Sequence, residues 1–415
     1  MDIQAFDLHI IGGGIIGLCA AVTLQARGIK VVILEADKIA CGASYGNAGH
    51  LATEQVFPIA DANILQHVPA MLFNPEGPLR IDWRYLPRLM PWAFKLLLNM
   101  RPEPFARSHQ ALLALNAHSL QAWQDFAKDW QLMPWVKVEG SLLTVEKTTS
   151  LADLQAHGQR LNELSVPNEL LSQQQLLELE PALKDTQLGA LFFPQTGHIT
   201  DLSAITKKLS TTFSELGGHI VEHCPVLEAK VSVDGITLTT SDQQIHARKV
   251  MLAAGAHSKA LAKQLTGISV PLDTERGYHL MLPNESARLT LPISSMDRRF
   301  IMTPMDTGLR LAGTVEYAGL EAPANMNRAQ MLLKQAQAML TVPLDSENST
   351  QWMGFRPSTA DSLPIIDKCG SVFLNFGHQH LGLTQAVVSA QMIAALYFDE
   401  NPVIDPAAYR LDRFK

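Results

Sequence analysis

The feature that most constrains this chain is a glycine-rich turn close to its N-terminus. An apolar run leads into Gly12-x-Gly14-x-x-Gly17, and a helical segment follows. A second apolar run, 31–34, closes on Glu35. The glycines, the flanking elements and the acid all fall where a strand–turn–helix–strand unit that binds a dinucleotide requires them. The sequence therefore predicts such a unit over residues 9–35.

Each glycine of this turn has a physical role. Gly12 allows the tight turn, Gly14 lets the backbone approach a pyrophosphate, and Gly17 lets helix and strand pack closely. The pyrophosphate is expected on the helix N-terminus, where free N–H groups and the helix dipole favour anions. Glu35 is expected to accept hydrogen bonds from ribose hydroxyls. An acid at this position disfavours a 2′-phosphate and so argues against NADP.

Composition narrows the class of protein. A length of 415 residues suits two domains, and a net charge of −7 offers no basic footprint for nucleic acid. The four cysteines are scattered without a CxxC pair, so all four are expected to be reduced, buried thiols, with Cys19 in the first helix. The glycine turn begins too early to leave room for a secretory leader, which leads us to expect a cytoplasmic protein.

Segments of dinucleotide-domain character occur in three separate places along the chain. We expect one domain from residues 1–60, 181–261 and 346–415, interleaved with a second domain from residues 61–180 and 262–345. Residues 61–180 show helical periodicity, whereas the block 262–345 reads as strands. The predicted strands are Arg276–Leu282, Phe300–Thr303 and Leu309–Thr314. The uncharged stretch Cys369–Phe398 is too polar for a lipid-exposed helix and predicts a buried strand, a loop and a buried helix.

The segment Trp83–Phe105 mixes aromatic and leucine side chains with basic ones. This combination is typical of a helix that lies on a membrane surface. It is equally typical of a surface helix that packs its apolar side on the domain core. Pro87 and Pro91 are expected to break the regularity of the helix, which favours packing. Peripheral contact with the inner face of the plasma membrane stays open.

Four further motifs carry a family resemblance. They are Gly42–His50, Arg310–Glu316, Gly354–Pro364 and Asn375–Thr384. Together they resemble the FAD-dependent amino-acid oxidoreductases of the D-amino-acid oxidase superfamily, and most closely the bacterial D-amino-acid dehydrogenases, over nearly the whole chain. The resemblance implies an α/β fold in which a Rossmann-like FAD-binding domain of the glutathione-reductase type is interleaved with a substrate domain of β-sheet and helices.

The resemblance also implies contacts with FAD beyond the glycine turn and Glu35. The residues so implied are Ile15, Ile16, Ala36, Ser44, Asn47, Ala48, Gly49, Val226, Ala254, Gly255, His378, His380, Leu381, Gly382, Leu383 and Thr384. Members that hold flavin covalently carry a cysteine near the Gly-x-Arg motif. Here the nearest cysteine, Cys369, stands well past Arg356, so non-covalent FAD is expected.

Chemistry then points to particular side chains. A flavin takes a hydride from a Cα–H bond beside an amine onto its N5 atom, and the substrate carboxylate is best held by the planar fork of an arginine. Arg356 matches the family position for that role; a structural pair with Asp361 or Asp367 is the alternative. Tyr278 resembles the family tyrosine whose hydroxyl reaches the same carboxylate; an ordinary strand tyrosine is the alternative. His50 is expected to orient the substrate or take its ammonium proton, unless it only caps a turn.

The loop before the last helix completes the predicted site. His378 and His380 are expected to bond flavin edge atoms or line the pocket, and their spacing on a loop argues against zinc. Backbone N–H groups of Leu381, Gly382 and Leu383 would stabilise negative charge on reduced flavin. Three functions stay open: oxidation of D-amino acids with electrons passed to a quinone or another acceptor, oxidation of glycine, sarcosine or cyclic imino acids such as D-proline, and an NAD-binding module.

Overall fold

The computed structural model describes residues 2–59, 61, 71–72, 74 and 77–415. The start of the predicted second domain, within 60–76, therefore falls largely outside the described residues. Two large sheets, of six and nine strands in the part of the chain that the structure describes, organise the fold. The fold is α/β, with a dinucleotide-binding sheet and a separate β-rich layer.

The six-stranded sheet carries the glycine turn. Its strands lie in the order His219–Val221, Val31–Leu34, Leu8–Ile11, Val250–Leu252, Val372–Phe376 and Ile365–Cys369. All neighbouring pairs are parallel except the last. The sheet is buried on both faces, which explains its continuous apolar runs. The predicted strand–turn–helix–strand unit is confirmed.

Each face of this sheet has its own cover. The first helix, Ile15–Ala26, packs against the last helix, Gly382–Tyr397, in the core on one face. A small antiparallel sheet packs in the core on the other face. Its strands are Glu228–Ser232, Gly235–Thr239 and Gln244–Ala247. The predicted buried strand, loop and helix near the C-terminus are confirmed.

The nine-stranded sheet forms the second layer. Eight of its strands lie side by side in the order Thr350–Thr359, Leu272–Leu282, Gly308–Tyr317, Phe300–Met305, Ile293–Ser295, Ser141–Val145, Gly189–Phe193 and Glu169–Ser172. The ninth strand, Leu79–Ile81, pairs with Gly308–Tyr317. The three strands predicted between 276 and 314 are confirmed and are longer than expected.

Two of these strands come from segments that the sequence assigned to the dinucleotide-binding domain. Gly189–Phe193 and Thr350–Thr359 both hydrogen-bond within the nine-stranded sheet. Strand periodicity predicts that a segment is extended, but it does not say which sheet the segment joins. We therefore propose domain boundaries just after Phe193 and Thr359 in place of those at 181 and 346.

Helices surround both sheets. The remaining described helices are Leu86–Asn99, Pro102–Asp129, Thr148–Glu163, Gln173–Leu179, Leu202–Glu215, Ser258–Thr266 and Asn327–Met339. The helical periodicity predicted between 61 and 180 is borne out by four of them, but the strands within 141–172 were missed. A second small sheet joins His50–Leu51, Gly197–Ile199 and Val136–Lys137.

The amphipathic segment forms a helix that runs through both prolines, so the expected break is wrong. Pro87 lies in the first turn of Leu86–Asn99, where no intrahelical N–H bond is lost, and Pro91 sits inside the helix. Leu89 and Trp92 are buried against the core. Among the described residues, no helix has both the length and the apolar character needed to cross a bilayer.

The cysteines differ from expectation in part. All four are free; Cys19 and Cys224 are buried, Cys369 is half-buried, and Cys41 is exposed. The expectation of a buried thiol is therefore wrong for Cys41, because it follows the glycine-turn unit on an irregular segment at the surface of a cavity.

Candidate active site

A large cavity opens where the parallel strands end. Its volume is about 1320 Å³, more than a drug-sized ligand needs. Ligands of open α/β sheets bind at the carboxyl ends of the strands, and Gly12, Glu35 and Ala253 each follow such an end. Most of the predicted residues line this one cavity. The exceptions are Gly17, Gly49, Leu381 and Thr384, which lie behind its wall.

The glycine turn is as tight as the motif predicts. Gly12 has φ +105°, and a Cβ there would lie 2.6 Å from the Ala253 carbonyl oxygen. A Cβ on Gly17 would lie 2.1 Å from the Gly12 carbonyl oxygen. Any side chain at either position would displace backbone. The turn is therefore pressed between its own helix and the neighbouring strand, and Gly12 and Gly14 line the cavity.

Two side chains fix this turn from outside. The Gly13 N–H donates to Glu35 Oε2 over 2.6 Å, and the Ile15 N–H donates to Ser44 Oγ over 2.8 Å. Both oxygens keep further lone pairs, and the Ser44 hydroxyl keeps its proton. Glu35 and Ser44 thus shape the turn and still present polar atoms to the cavity.

The second predicted turn, 42–50, is held by the nine-stranded sheet. The Arg310 guanidinium donates to the Asn47 carbonyl over 2.6 Å, and His279 Nδ1 donates to the Gly46 carbonyl over 3.0 Å. A Cβ on Gly46 would lie 2.1 Å from the ring of Trp352. Three neighbouring strands of the nine-stranded sheet therefore hold the turn, and Gly46 and Asn47 line the cavity.

Arg356 lies in the cavity wall on the strand Thr350–Thr359. One of its N–H groups donates to the Thr314 carbonyl oxygen over 3.1 Å, the only hydrogen bond of its side chain within the described residues. Asp361 instead pairs with Arg413 over 2.7 Å, and Asp367 accepts the Leu411 N–H over 2.8 Å. The alternative pairing of Arg356 with either aspartate is wrong.

The acid that faces Arg356 is Glu275, which the sequence analysis missed. The two residues are directly paired across neighbouring strands, and Glu275 is buried. A Cβ on Gly277 would lie 2.5 Å from Arg356 Nη2, so glycine there makes room for the guanidinium. Burial lowers the pKa of Arg356 while Glu275 raises it. Only the strand register brings these positions together, so no local signal could have found the pair.

Tyr278 does not fill its predicted role. Its hydroxyl donates to the Glu316 carboxylate and accepts the Asn325 N–H. A phenol has one proton, and a substrate carboxylate can only accept, so it cannot be bound unless the bond to Glu316 breaks. The expectation that this hydroxyl grips the substrate carboxylate is therefore corrected. Tyr278 ties its strand to Glu316.

His50 lines the cavity, but both of its ring nitrogens are committed. Nδ1 lies 3.1 Å from the Gly197 carbonyl oxygen and Nε2 lies 3.0 Å from Glu54 Oε1. Both partners are acceptors, so the ring carries both protons. Burial lowers the pKa of His50, but Glu54 and the Gly197 carbonyl outweigh it and the net pKa is raised. The expectation that His50 takes a substrate proton is corrected: it is a buried cation paired with Glu54.

The C-terminal loop presents neutral groups. Burial lowers the pKa of His378 to about 3. His380 is exposed at the cavity, but desolvation by the surrounding protein and the nearby Arg356 lower its pKa to about 4, so neither ring is charged near neutrality. The Leu381 N–H is taken by the His378 carbonyl over 2.9 Å, so it is not free as predicted. The N–H groups of Gly382 and Leu383 lie in the first helical turn, where no intrahelical acceptor is available.

These residues fit a flavin dinucleotide. The glycine turn leaves space and N–H groups for a pyrophosphate at one end of the cavity. At the other end, both amide atoms of Asn375 and His378 Nε2 are buried without a hydrogen-bond partner in the described part of the chain. Buried polar groups left unpaired cost roughly 1–3 kcal/mol each, so a ligand that supplies partners is favoured here.

Comparison with known proteins gives the class that this fold and cavity define. Residues 7–396 match the family of FAD-dependent oxidoreductases. The chain belongs to this family, and FAD is its cofactor.

Its similarity to individual proteins extends over nearly the full length. It is 31% identical to a D-amino-acid oxidase of Bradyrhizobium diazoefficiens, with 98% of each chain covered. It is 27% identical to a D-amino acid dehydrogenase of Vibrio atlanticus, with 94% of this chain and 95% of the relative covered. Among solved structures, glycine oxidase from Geobacillus kaustophilus is similar with a TM-score of 0.75 at 19% identity, covering 98% of each chain. That last likeness bears on the fold alone.

Proposed function

We propose that this flavoprotein oxidises D-amino acids to imino acids, which water then hydrolyses, and that Arg356 holds the substrate carboxylate. The observation that carries the proposal is the state of Arg356: it faces the cavity with one N–H on Thr314 and no aspartate partner. A planar guanidinium with free donors is the group best suited to bidentate binding of a carboxylate. The names of the two full-length relatives support the same substrate class.

When bound, FAD supplies the acceptor for the hydride that leaves Cα. The residues of the cavity would position the substrate Cα–H bond from which the hydride leaves. Glu275, opposite Arg356 on the neighbouring strand, adds a negative charge that favours the charged guanidinium, and glycine at 277 leaves room for it. Neutral His380 lies beside Arg356 and adds no charge that would compete for the carboxylate. The first-turn N–H groups of Gly382 and Leu383 would favour negative charge on a flavin edge bound next to them.

We propose non-covalent contacts with FAD along the whole cavity. The glycine turn would bind the pyrophosphate, Glu35 the ribose and the Val226 backbone the adenine, while 44–49 and 378–384 would border the flavin ring. Among the cysteines of the described residues, Cys41 is the one that lines the cavity, so it is the thiol whose covalent attachment to the flavin must be tested. Acid precipitation should leave the yellow colour in the supernatant, and colour that pellets with the protein would contradict non-covalent binding.

We infer that the electron acceptor is a quinone and that the protein reaches it from the membrane surface. Trp83, Met90 and Phe94 are exposed by 62%, 53% and 60% on or next to the helix Leu86–Asn99. Arg84 and Lys95 stand beside them. Aromatic side chains flanked by basic ones suit an anionic lipid surface, and quinones dissolve in lipid. The packing of Leu89 and Trp92 anchors the helix and leaves this other side free.

The test is a substrate panel with two acceptors. D- and L-amino acids, glycine, sarcosine and D-proline are added anaerobically while loss of flavin absorbance is followed. Bleaching by D-amino acids supports the proposal, whereas bleaching by glycine, sarcosine or D-proline alone replaces it with the alternative substrate class. Repetition with a quinone analogue and with oxygen tests the acceptor. Stoichiometric peroxide at the rate of the quinone assay would refute the quinone.

A further inference from the structure

A second arginine, Arg299, lines the same cavity and has no partner. It stands in the hairpin between Ile293–Ser295 and Phe300–Met305. Its backbone N–H is bonded to the Ser295 carbonyl over 2.9 Å, but its guanidinium makes no hydrogen bond or ion pair with any described residue. The Arg299 side chain is exposed and lines the cavity, so its guanidinium is accessible to an anionic ligand there.

The neighbouring Arg298 shows what a structural arginine in this hairpin does. It pairs with Glu146 over 2.8 Å and donates to Gln335 over 2.8 Å, and it does not line the cavity. Arg299 also has φ +58°, in the left-handed region that favours glycine. The two adjacent arginines therefore have different environments: Arg298 is paired with Glu146, whereas Arg299 lines the cavity.

Strand register places Arg299 close to the binding end of Arg356. Phe300, next to Arg299, pairs with Gly313 on the adjacent strand, and Arg356 donates to Thr314, next to Gly313. Adjacent strands are about 4.8 Å apart, so the Arg299 backbone lies about one strand from Thr314, whose carbonyl accepts the Arg356 N–H. Two arginines that line one cavity from neighbouring positions of one sheet suit a molecule with two carboxylates.

The other charges near this end do not neutralise Arg299. The Glu54 carboxylate is paired with His50, and Arg160 lies 3.8 Å from Asp61. His157, which lines the cavity nearby, has its pKa lowered by burial first and by Arg160 and Arg299 as well, so it is neutral near neutral pH. Among the described residues, none of these groups neutralises Arg299.

We propose that Arg299 binds an anionic substrate side chain, so that the preferred substrates are acidic D-amino acids, aspartate or glutamate. The inference rests on the proposed function, since Arg356 must hold the α-carboxylate for Arg299 to meet the second one. The amide analogues, D-asparagine and D-glutamine, have nearly the same shape without the charge. A charge-assisted hydrogen bond that the amide cannot replace is worth roughly tenfold or more in kcat/KM.

The experiment measures kcat/KM of the FAD-loaded enzyme for D-glutamate, D-glutamine, D-aspartate, D-asparagine and D-alanine. The ratio of acid to amide should exceed about ten in the wild type. Arg299→Gln should bring the ratio near one, and Arg299→Lys should restore part of it. The matched control is Arg298→Gln, which removes an arginine of the same hairpin outside the cavity and should leave the ratio unchanged.

Binding gives a second readout without turnover. Succinate should bind the oxidised holoenzyme at least about tenfold more tightly than succinamate by calorimetry, and Arg299→Gln should erase the difference. An acid-to-amide ratio near one in the wild type, or a ratio retained in Arg299→Gln, overturns the inference while activity on D-alanine keeps the proposed function. Failure of every D-amino acid to reduce the flavin overturns both.

Discussion

The two ends of the cavity are built in opposite ways. The glycine-turn end comes mainly from one contiguous stretch, 9–35, in which the strand, the turn and the helix pack against each other. The Arg356 end is assembled from four neighbouring strands of the nine-stranded sheet, whose residues lie far apart in sequence. The first end depends on contacts between residues close in sequence, so a substitution there should disturb binding by the whole turn. The second end depends on strand register, so a substitution there should remove one contact and leave the others.

The largest effect is expected at the glycine turn. Gly14→Val should reduce the ratio of flavin to protein to near zero, because the added side chain occupies the space of the pyrophosphate. A Cβ there meets only Ser44 Oγ, at 3.1 Å, so the apoprotein should keep its fold by circular dichroism. Gly17→Val should lose both flavin and fold, because its Cβ would meet backbone at 2.1 Å. Full flavin content in Gly14→Val would remove the pyrophosphate assignment.

Arg356→Ala tests the other end. The substrate concentration for half-maximal flavin reduction should rise roughly a hundredfold, since truncating one partner of a buried charge pair costs about 2–5 kcal/mol. Flavin content should stay normal. Arg356→Lys should recover only part of the loss, because a point charge does not reproduce the planar fork.

The contrast for that variant is Arg276, one position from Glu275. Its guanidinium is fully buried and donates to four carbonyls between 318 and 323, so Arg276→Ala should lower the thermal midpoint and not act on substrate affinity alone. Near-normal affinity in fully flavinated Arg356→Ala would end the assignment of Arg356 to the substrate.

The buried pair between His50 and Glu54 should be visible in stability. The pKa of His50 is raised in the folded state, so its stabilising contribution is complete below the ordinary histidine pKa of about 6.5 and is lost as pH rises through the raised value. In Glu54→Gln, burial alone should lower that pKa and reverse the slope. Urea unfolding of both proteins across this range gives the comparison. Identical pH dependence in the two proteins would exclude a charged His50.

The smallest effect is expected on the binding of the protein to membranes. Phe94→Glu should weaken sedimentation with anionic vesicles about tenfold, since full burial of such a side chain is worth about 1.5–3 kcal/mol, Phe94 is 60% exposed before binding, and about 1.4 kcal/mol is tenfold. Val233→Glu, at a fully exposed position in the hairpin between 228–232 and 235–239, is the matched control. Wild-type protein that stays in solution with anionic vesicles would leave the helix with a packing role alone.

The parts of the fold and the site that could be predicted from the sequence are those formed by residues close together in the chain. The glycine turn, the last helix and the strands between 276 and 314 were predicted because their signals are periodic or local. Arg356 came from a motif, but its partners did not: Glu275 and Thr314 meet it only through strand pairing. Tyr278 was assigned from the family resemblance and His50 from its position after the turn 46–49, and the hydrogen bonds to Glu316 and Glu54 changed their roles.

The sequence by itself determined the dinucleotide unit, because turn, helix dipole and glycine spacing act within about thirty residues. It also determined the family, through motifs spread along the chain. The tertiary structure decided which strand joins which sheet, which acid faces Arg356, and that Arg299 rather than Arg298 enters the cavity. These outcomes depend on register and on the direction of side chains across a sheet, where a shift of one residue moves every side chain to the other face.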